Sequence, residues 1–194
     1  MHSHDLRLVQ HLESYLGTVR CGWKELPDGQ AAQYQVVEYE GLPTISGSVA
    51  YSTLGLSDVP LPPLPRTGQL IRHELVFLAR KSFGRRNIPG LLQQVAQEAL
   101  IRNRAYLCGD VIGPRGALFD ESTLEALYVT NPVYLPDDFA ACTLPTGEVA
   151  VIAWLVPITR SESEYVRSVG WRRFEDTLVA VDPDLLDFNR KSVV

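Results

Sequence analysis

The chain has 194 residues, of which 45% are hydrophobic and 21% charged, with a formal charge of -5. Its pI is near 5.4. That length is enough for one domain with a sizeable core, and the acidity argues against general affinity for nucleic-acid phosphates. No apolar run is long enough to span a bilayer, and "MHSHDLRLVQ" at the start lacks the basic-then-apolar layout of a secretory signal, so a cytoplasmic location is expected.

Residues 4–16 carry Leu8, Leu12, Tyr15 and Leu16 at helical spacing, with Gly17 where a C-terminal cap belongs. "AAQYQVVEYEG" then has the β-branched and aromatic content of a strand ending at Gly41, and "TISGSVAYST", 44–53, reads as a second. The prolines of "DVPLPPLPRTG", 58–68, remove backbone donors and exclude a central strand, which predicts an extended polyproline arm across the surface. "LIRHELVFLAR", 70–80, returns as a strand. Asn87 and Pro89 open a helix over about 88–104, whose stripe is Leu92, Val95, Ala96, Ala99 and Leu100.

After a stretch rich in glycine and proline, strands are expected at "LEALYVT", at "AACTL" and at the apolar run 149–158, with "PTGE" turning the chain between the last two. Ser161 followed by Glu164 has the spacing of a capping box opening a helix that Gly170 ends. Trp171, Phe174 and Leu178 space a second helix. The order of elements predicts an α+β fold, a mixed sheet flanked by helices, forming a single domain over 1–194.

The chemistry is sparse. Cys21, Cys108 and Cys142 are widely spaced and odd in number, with no CxxC pair, so neither a disulfide framework nor a zinc site is expected. His2 and His4 beside Asp5 lie at a terminus expected to fray. His73, between Arg72 and Glu74, is the histidine best placed for acid–base work, but sequence shows no nucleophile for it. No serine lies in a GxSxG elbow, and Gly109, Gly113 and Gly116 form no phosphate-binding loop. No catalytic residue, metal or cofactor is expected.

Two stretches have the character of docking elements. "VAYSTLGLSD", 49–58, concentrates Tyr51, Thr53, Ser57 and Asp58 at a strand end around Gly55. "ARKSFGRRN", 79–87, sets Arg85 and Arg86 in a basic loop suited to an acidic partner. For the first, a structural turn competes with a docking surface. In the structural reading Gly55 supplies the backbone shape, Asp58 caps donors and Leu54 or Leu56 plugs the core.

The strand-turn "AYSTLGLSD", the strand "RHELVFLA", the helix near 88–104 and the tail "VPITRSESEYVRSVGWRRFEDTL...DFNRKS" together resemble the suppressor of fused family, from about residue 30 to the end. The resemblance implies the family's N-terminal α+β domain, found alone in many bacterial proteins and without known catalysis. It places Tyr51, Thr53, Gly55, Ser57 and Asp58 in the family's turn. Animal members bind zinc-finger transcription factors by strand addition between two domains, and this chain has no room for the second. Bacterial relatives imply an immunity protein that binds and neutralises a toxin. The competing expectations are a hydrolase or transferase using His73 with a carboxylate such as Glu74, and a scaffold recruited through the proline arm.

Overall fold

In the computed structural model the described residues are 6–25, 29, 31–64, 68–83 and 87–194. The histidines at positions 2 and 4 and Asp5 lie outside them, as do Arg85 and Arg86. Among the described residues eight strands form one sheet: β1 (Val19–Glu25), β2 (Ala31–Tyr39), β3 (Ser48–Leu54), β4 (Arg72–Arg80), β5 (Val111–Ile112), β6 (Leu124–Thr130), β7 (Ala141–Thr143) and β8 (Val149–Thr159). The order is β1-β2-β3-β4-β8-β6-β5. β4 and β8 pair in parallel, and every other pairing is antiparallel. β7 pairs the start of β8 through Val149–Val151, while β6 pairs its end through Trp154–Thr159. The α+β expectation with a mixed sheet holds.

Among the described residues four α-helices accompany the sheet: α1 (Leu6–Leu16), α2 (Ile88–Ile101), α3 (Arg160–Val169) and α4 (Trp171–Val181). α2 covers one face, where Leu92, Val95, Ala96 and Ala99 pack with Tyr34, Tyr51, Leu75 and Phe77. The other face meets α1, α3 and α4 through Leu8, Leu12, Leu16, Val166 and Phe174, packed with Val76, Leu78 and Trp154. β4 and β8 are therefore covered on both sides. Their apolar runs, "ELVFLA" and "VIAWLVPI", are what such central strands require.

Several boundaries differ from the sequence expectation. β3 begins at Ser48 rather than 44, because residues 43–47 form turns, and the Gly47 carbonyl accepts Lys81 N at 2.7 Å. α2 ends at Ile101, three residues before the expected 104, and Asn103 turns the chain with φ +48°. The described part of the proline-rich segment, 58–64 and 68, is hydrogen-bonded to the body of the domain while several of its residues stay exposed. Leu61 and Ile71 exchange backbone hydrogen bonds at 2.9 and 2.7 Å, and the Pro62 carbonyl accepts Ala105 N at 2.8 Å. Leu61 and Pro63 are buried.

The capping box lies two residues earlier than Ser161 and Glu164 indicate. Thr159 Oγ1 accepts the Glu162 N–H at 3.2 Å, and the Glu162 carboxylate accepts the Thr159 N–H at 2.8 Å. Glu162 is fully buried and also takes both arms of Arg190, at 2.7 and 2.9 Å, together with Val193 N at 3.0 Å. A carboxylate committed to a buried guanidinium settles which of two overlapping frames caps the helix. Ser161 and Glu164 are exposed, and Ser161 Oγ lies 3.0 Å from Thr159 Oγ1. Gly170 ends α3 as expected, with φ +103°.

Thr159→Ala should lower the free energy of unfolding by about 1 kcal/mol or more, while Ser161→Ala should change it by less than about 0.5 kcal/mol. Parallel urea melts check the pair. The reverse ranking would return the cap to Ser161.

Candidate functional site

The strand-end turn is built around one carboxylate. β3 ends at Leu54, and the chain reverses through Gly55 at φ +97°, ψ 0°, a left-handed conformation that glycine adopts without a Cβ penalty. The next three residues, Leu56–Asp58, form a single 3₁₀ turn. That geometry leaves the backbone donors of the turn facing inward, and Glu74, near the start of β4, meets them. Its Oε1 accepts Gly55 N and Ser57 N at 3.0 Å each and Ser57 Oγ at 2.7 Å. Its Oε2 accepts Thr53 Oγ1 at 2.5 Å, and that hydroxyl in turn accepts the Leu75 N–H at 2.8 Å.

Glu74 is wholly inaccessible to solvent. Burial raises its pKa, outweighing the hydrogen bonds from Thr53, Ser57 and Gly55, each of which lowers it. Arg72 braces the outer side of the same turn, its Nη1 donating to the carbonyls of Ser57 and Asp58 at 2.9 Å each. Its Nε lies 3.0 Å from the Glu148 carboxylate.

This geometry separates the residues that the sequence groups together. Tyr51, Thr53 and Ser57 are each at most 1% exposed, so as placed they form the interior of the turn and offer no surface for docking. Tyr51 packs its ring 6.4 Å from that of Trp23. Asp58 is the exposed member of the set, but the turn's inward donors go to Glu74 rather than to Asp58. Leu54 and Leu56 both enter the core on opposite faces of the sheet, Leu54 with the α1 side and Leu56 with the α2 side.

His73 and Glu74 are neighbours in sequence, but strand alternation sends their side chains to opposite faces. His73 is also fully buried, and neither ring nitrogen has a hydrogen-bond partner. Desolvation pushes its pKa down to about 4. The pair is therefore not assembled as an acid and base on one substrate. Among the described residues no group of three or more His, Cys, Asp or Glu side chains is arranged to hold a metal ion. Among the same residues no helix is long and apolar enough to cross a membrane.

Two substitutions separate the role of Glu74 from that of an ordinary core residue. Glu74→Ala leaves four buried donors without their acceptor and should cost about 4 kcal/mol or more. Glu74→Gln keeps an oxygen for the Oε1 donors and an amide that can donate to Thr53, so it should cost about 1–2 kcal/mol. Denaturant unfolding that gives equal losses for both would show that the turn does not depend on these bonds.

His73 gives a pH signature. Its folded pKa is depressed, so the unfolded chain binds the extra proton first, and stability falls as pH drops from about 6.5 toward 4. The raised pKa of Glu74 acts in the opposite sense, the folded state holding its proton more tightly. His73→Leu leaves the Glu74 contribution in place. It should therefore reduce the stability lost between about pH 7 and about pH 5 by about 2 kcal/mol. An identical loss in both proteins would overturn the assignment.

Comparisons with known proteins identify the fold and the family. The family model described as suppressor of fused protein matches residues 30–191. A putative suppressor of fused homolog from Neisseria gonorrhoeae superposes with a TM-score of 0.71 at 15% identity, covering 100% of this chain and 98% of that one. A chain of the Sufu–Fu complex gives 0.71 at 18% identity over 98% of this chain and 92% of its own. Drosophila Suppressor of Fused gives 0.69 at 18% identity, and the match covers 96% of this chain but 50% of the Drosophila chain. A search of curated proteins finds no match. With the family pattern covering most of its length and the same fold in all three structures, the chain belongs to the suppressor of fused family.

Proposed function

We propose that this chain is a non-catalytic protein-binding domain, acting in the bacterial cytoplasm as an immunity protein that binds and neutralises a cognate toxin. The observation that carries the protein-binding part is family membership over residues 30–191, joined to a similar fold in the Sufu–Fu complex, an assembly of two proteins. The sealed state of His73 and Glu74, both 0% exposed, supports the same reading, because a substrate has no path to either group without opening the sheet. The immunity reading adds the small size and acidity of the chain.

A protein partner has several surfaces open to it. Among the described residues β1 forms one edge of the sheet, pairs with β2 alone and is largely exposed, with two register shifts along its length. Irregular edges of this kind restrain indiscriminate strand pairing and leave specific augmentation available. Asp58 lies at the end of the turn, and the stretch 79–87 adds Arg85 and Arg86 as charges for an acidic partner.

Expression of the protein encoded by the adjacent gene provides the test. Immunity predicts growth arrest when that protein is produced alone, growth restored when this chain is co-expressed, and a stoichiometric complex on gel filtration. Arrest that co-expression does not relieve would sink the immunity reading. With a partner in hand, Arg85→Glu with Arg86→Glu should slow association about tenfold at low salt and flatten its salt dependence. An unchanged association rate would remove this stretch from the docking surface.

A further inference from the structure

A strongly charged concavity lies away from the Glu74 turn. α2 ends beside it with Glu98 and Arg102, the following turn supplies Arg104 and Tyr106, the loop after β5 supplies Arg115, and α3 supplies Arg167. They line a cavity of about 250 Å³. Glu98 is gripped by both arms of Arg115 at 2.6 Å and by Arg102 at 3.1 Å, which holds its carboxyl below the usual carboxylate range. Arg104 reaches Asp110 at 2.7 Å and lies 5.3 Å from the centre of the Tyr106 ring. Arg167 donates to the Gly113 carbonyl.

The charges around this cavity do not cancel. Four guanidinium groups face two carboxylates, leaving two positive charges concentrated in a chain whose overall charge is -5. Arg104 Nε is buried and has no hydrogen-bond partner. A buried, unpaired donor on a cation is costly unless something accepts from it.

We propose that this pocket binds the dianionic phosphate group of a small phosphate monoester. The charge matches, since two net positive charges offset a group carrying close to two negative ones. The shape matches as well. One guanidinium fork satisfies a planar carboxylate, whereas arginines arriving from a helix end, a turn, a loop and a second helix suit a tetrahedral group with acceptors in several directions. The four arginines converge on one concavity, so the site fits a small ligand better than a nucleic-acid backbone.

The test uses the intact chain with glycerol phosphate as the probe, and with sulfate, acetate and chloride at matched ionic strength. At about 10 mM, glycerol phosphate and sulfate should raise the thermal midpoint by about 3 °C or more relative to chloride, and acetate should not. Glycerol phosphate should bind more tightly at about pH 7.5 than at about pH 5, because its second proton leaves near pH 6, while sulfate binding should stay constant. Arg104→Gln and Arg167→Gln, each checked by circular dichroism, should weaken glycerol phosphate binding at least about tenfold. The wild-type pH comparison stands even if a variant fails to fold. No shift beyond chloride, equal binding of acetate, or an undiminished affinity in both folded variants would overturn the assignment. A phosphoserine peptide binding more than about tenfold tighter than glycerol phosphate would replace the small ligand with a protein one.

Discussion

A carboxylate that cannot reach water must be met by donors, and the turn after β3 is the set of donors that meets Glu74. Thr53, Gly55 and Ser57 all address the same two oxygens, from a strand end, a left-handed glycine and a 3₁₀ turn. The constraint runs both ways. Without the carboxylate the inward N–H groups of the turn lose their acceptor, and without the turn the carboxylate is a buried charge with no compensation. The bonds also tie β3 to β4 just beyond the last pair of their ladder, Ser52 with Val76. The polar residues that give the stretch the look of a reactive or docking site are therefore the inner lining of a structural joint. Asp58 and the carbonyls bound by Arg72 are the parts that approach its outer side.

Periodicity made much of the fold legible. The stripe of α2 names its helix because one buried face leaves its period in the sequence, β2 is named by its β-branched and aromatic content, and β4 and β8 are named by the continuous apolar runs of strands covered on both faces. β1 left no such trace. "VRCGWKE" is exposed along most of its length and is a strand because β2 pairs with it, a tertiary cause that local sequence does not carry. The helix cap shows the same limit. "TRSESE" contains two frames with the right spacing, Thr159 with Glu162 and Ser161 with Glu164. The distant Arg190 and Val193 decide between them by claiming Glu162.

Part of the site was legible and part was not. Gly55 reads as a special turn residue because alternatives to glycine are few at positive φ. Glu74 reads as half of an acid–base pair with His73, yet a glutamate at the head of "ELVFLA" enters the most deeply covered part of the sheet. A charge inside so apolar a run is the signal that it has internal partners. The family resemblance groups Tyr51, Thr53, Gly55, Ser57 and Asp58 around one turn but does not state which way each faces. Burial, read from the structure, separates Tyr51, Thr53 and Ser57 from Asp58.

The single parallel pairing in the sheet has a further consequence. β1 to β4 form one antiparallel block whose neighbours follow one another along the chain, and β5 to β8 form another. β4 and β8 are the seam where the blocks meet, and between them the chain must lay down α2 and three strands. Each block can gather its contacts over shorter loops than the seam, whose hydrogen bonds require the whole stretch between β4 and β8 to close. The border between the two halves of the polypeptide is thus the pairing with the largest loop-closure cost in the sheet.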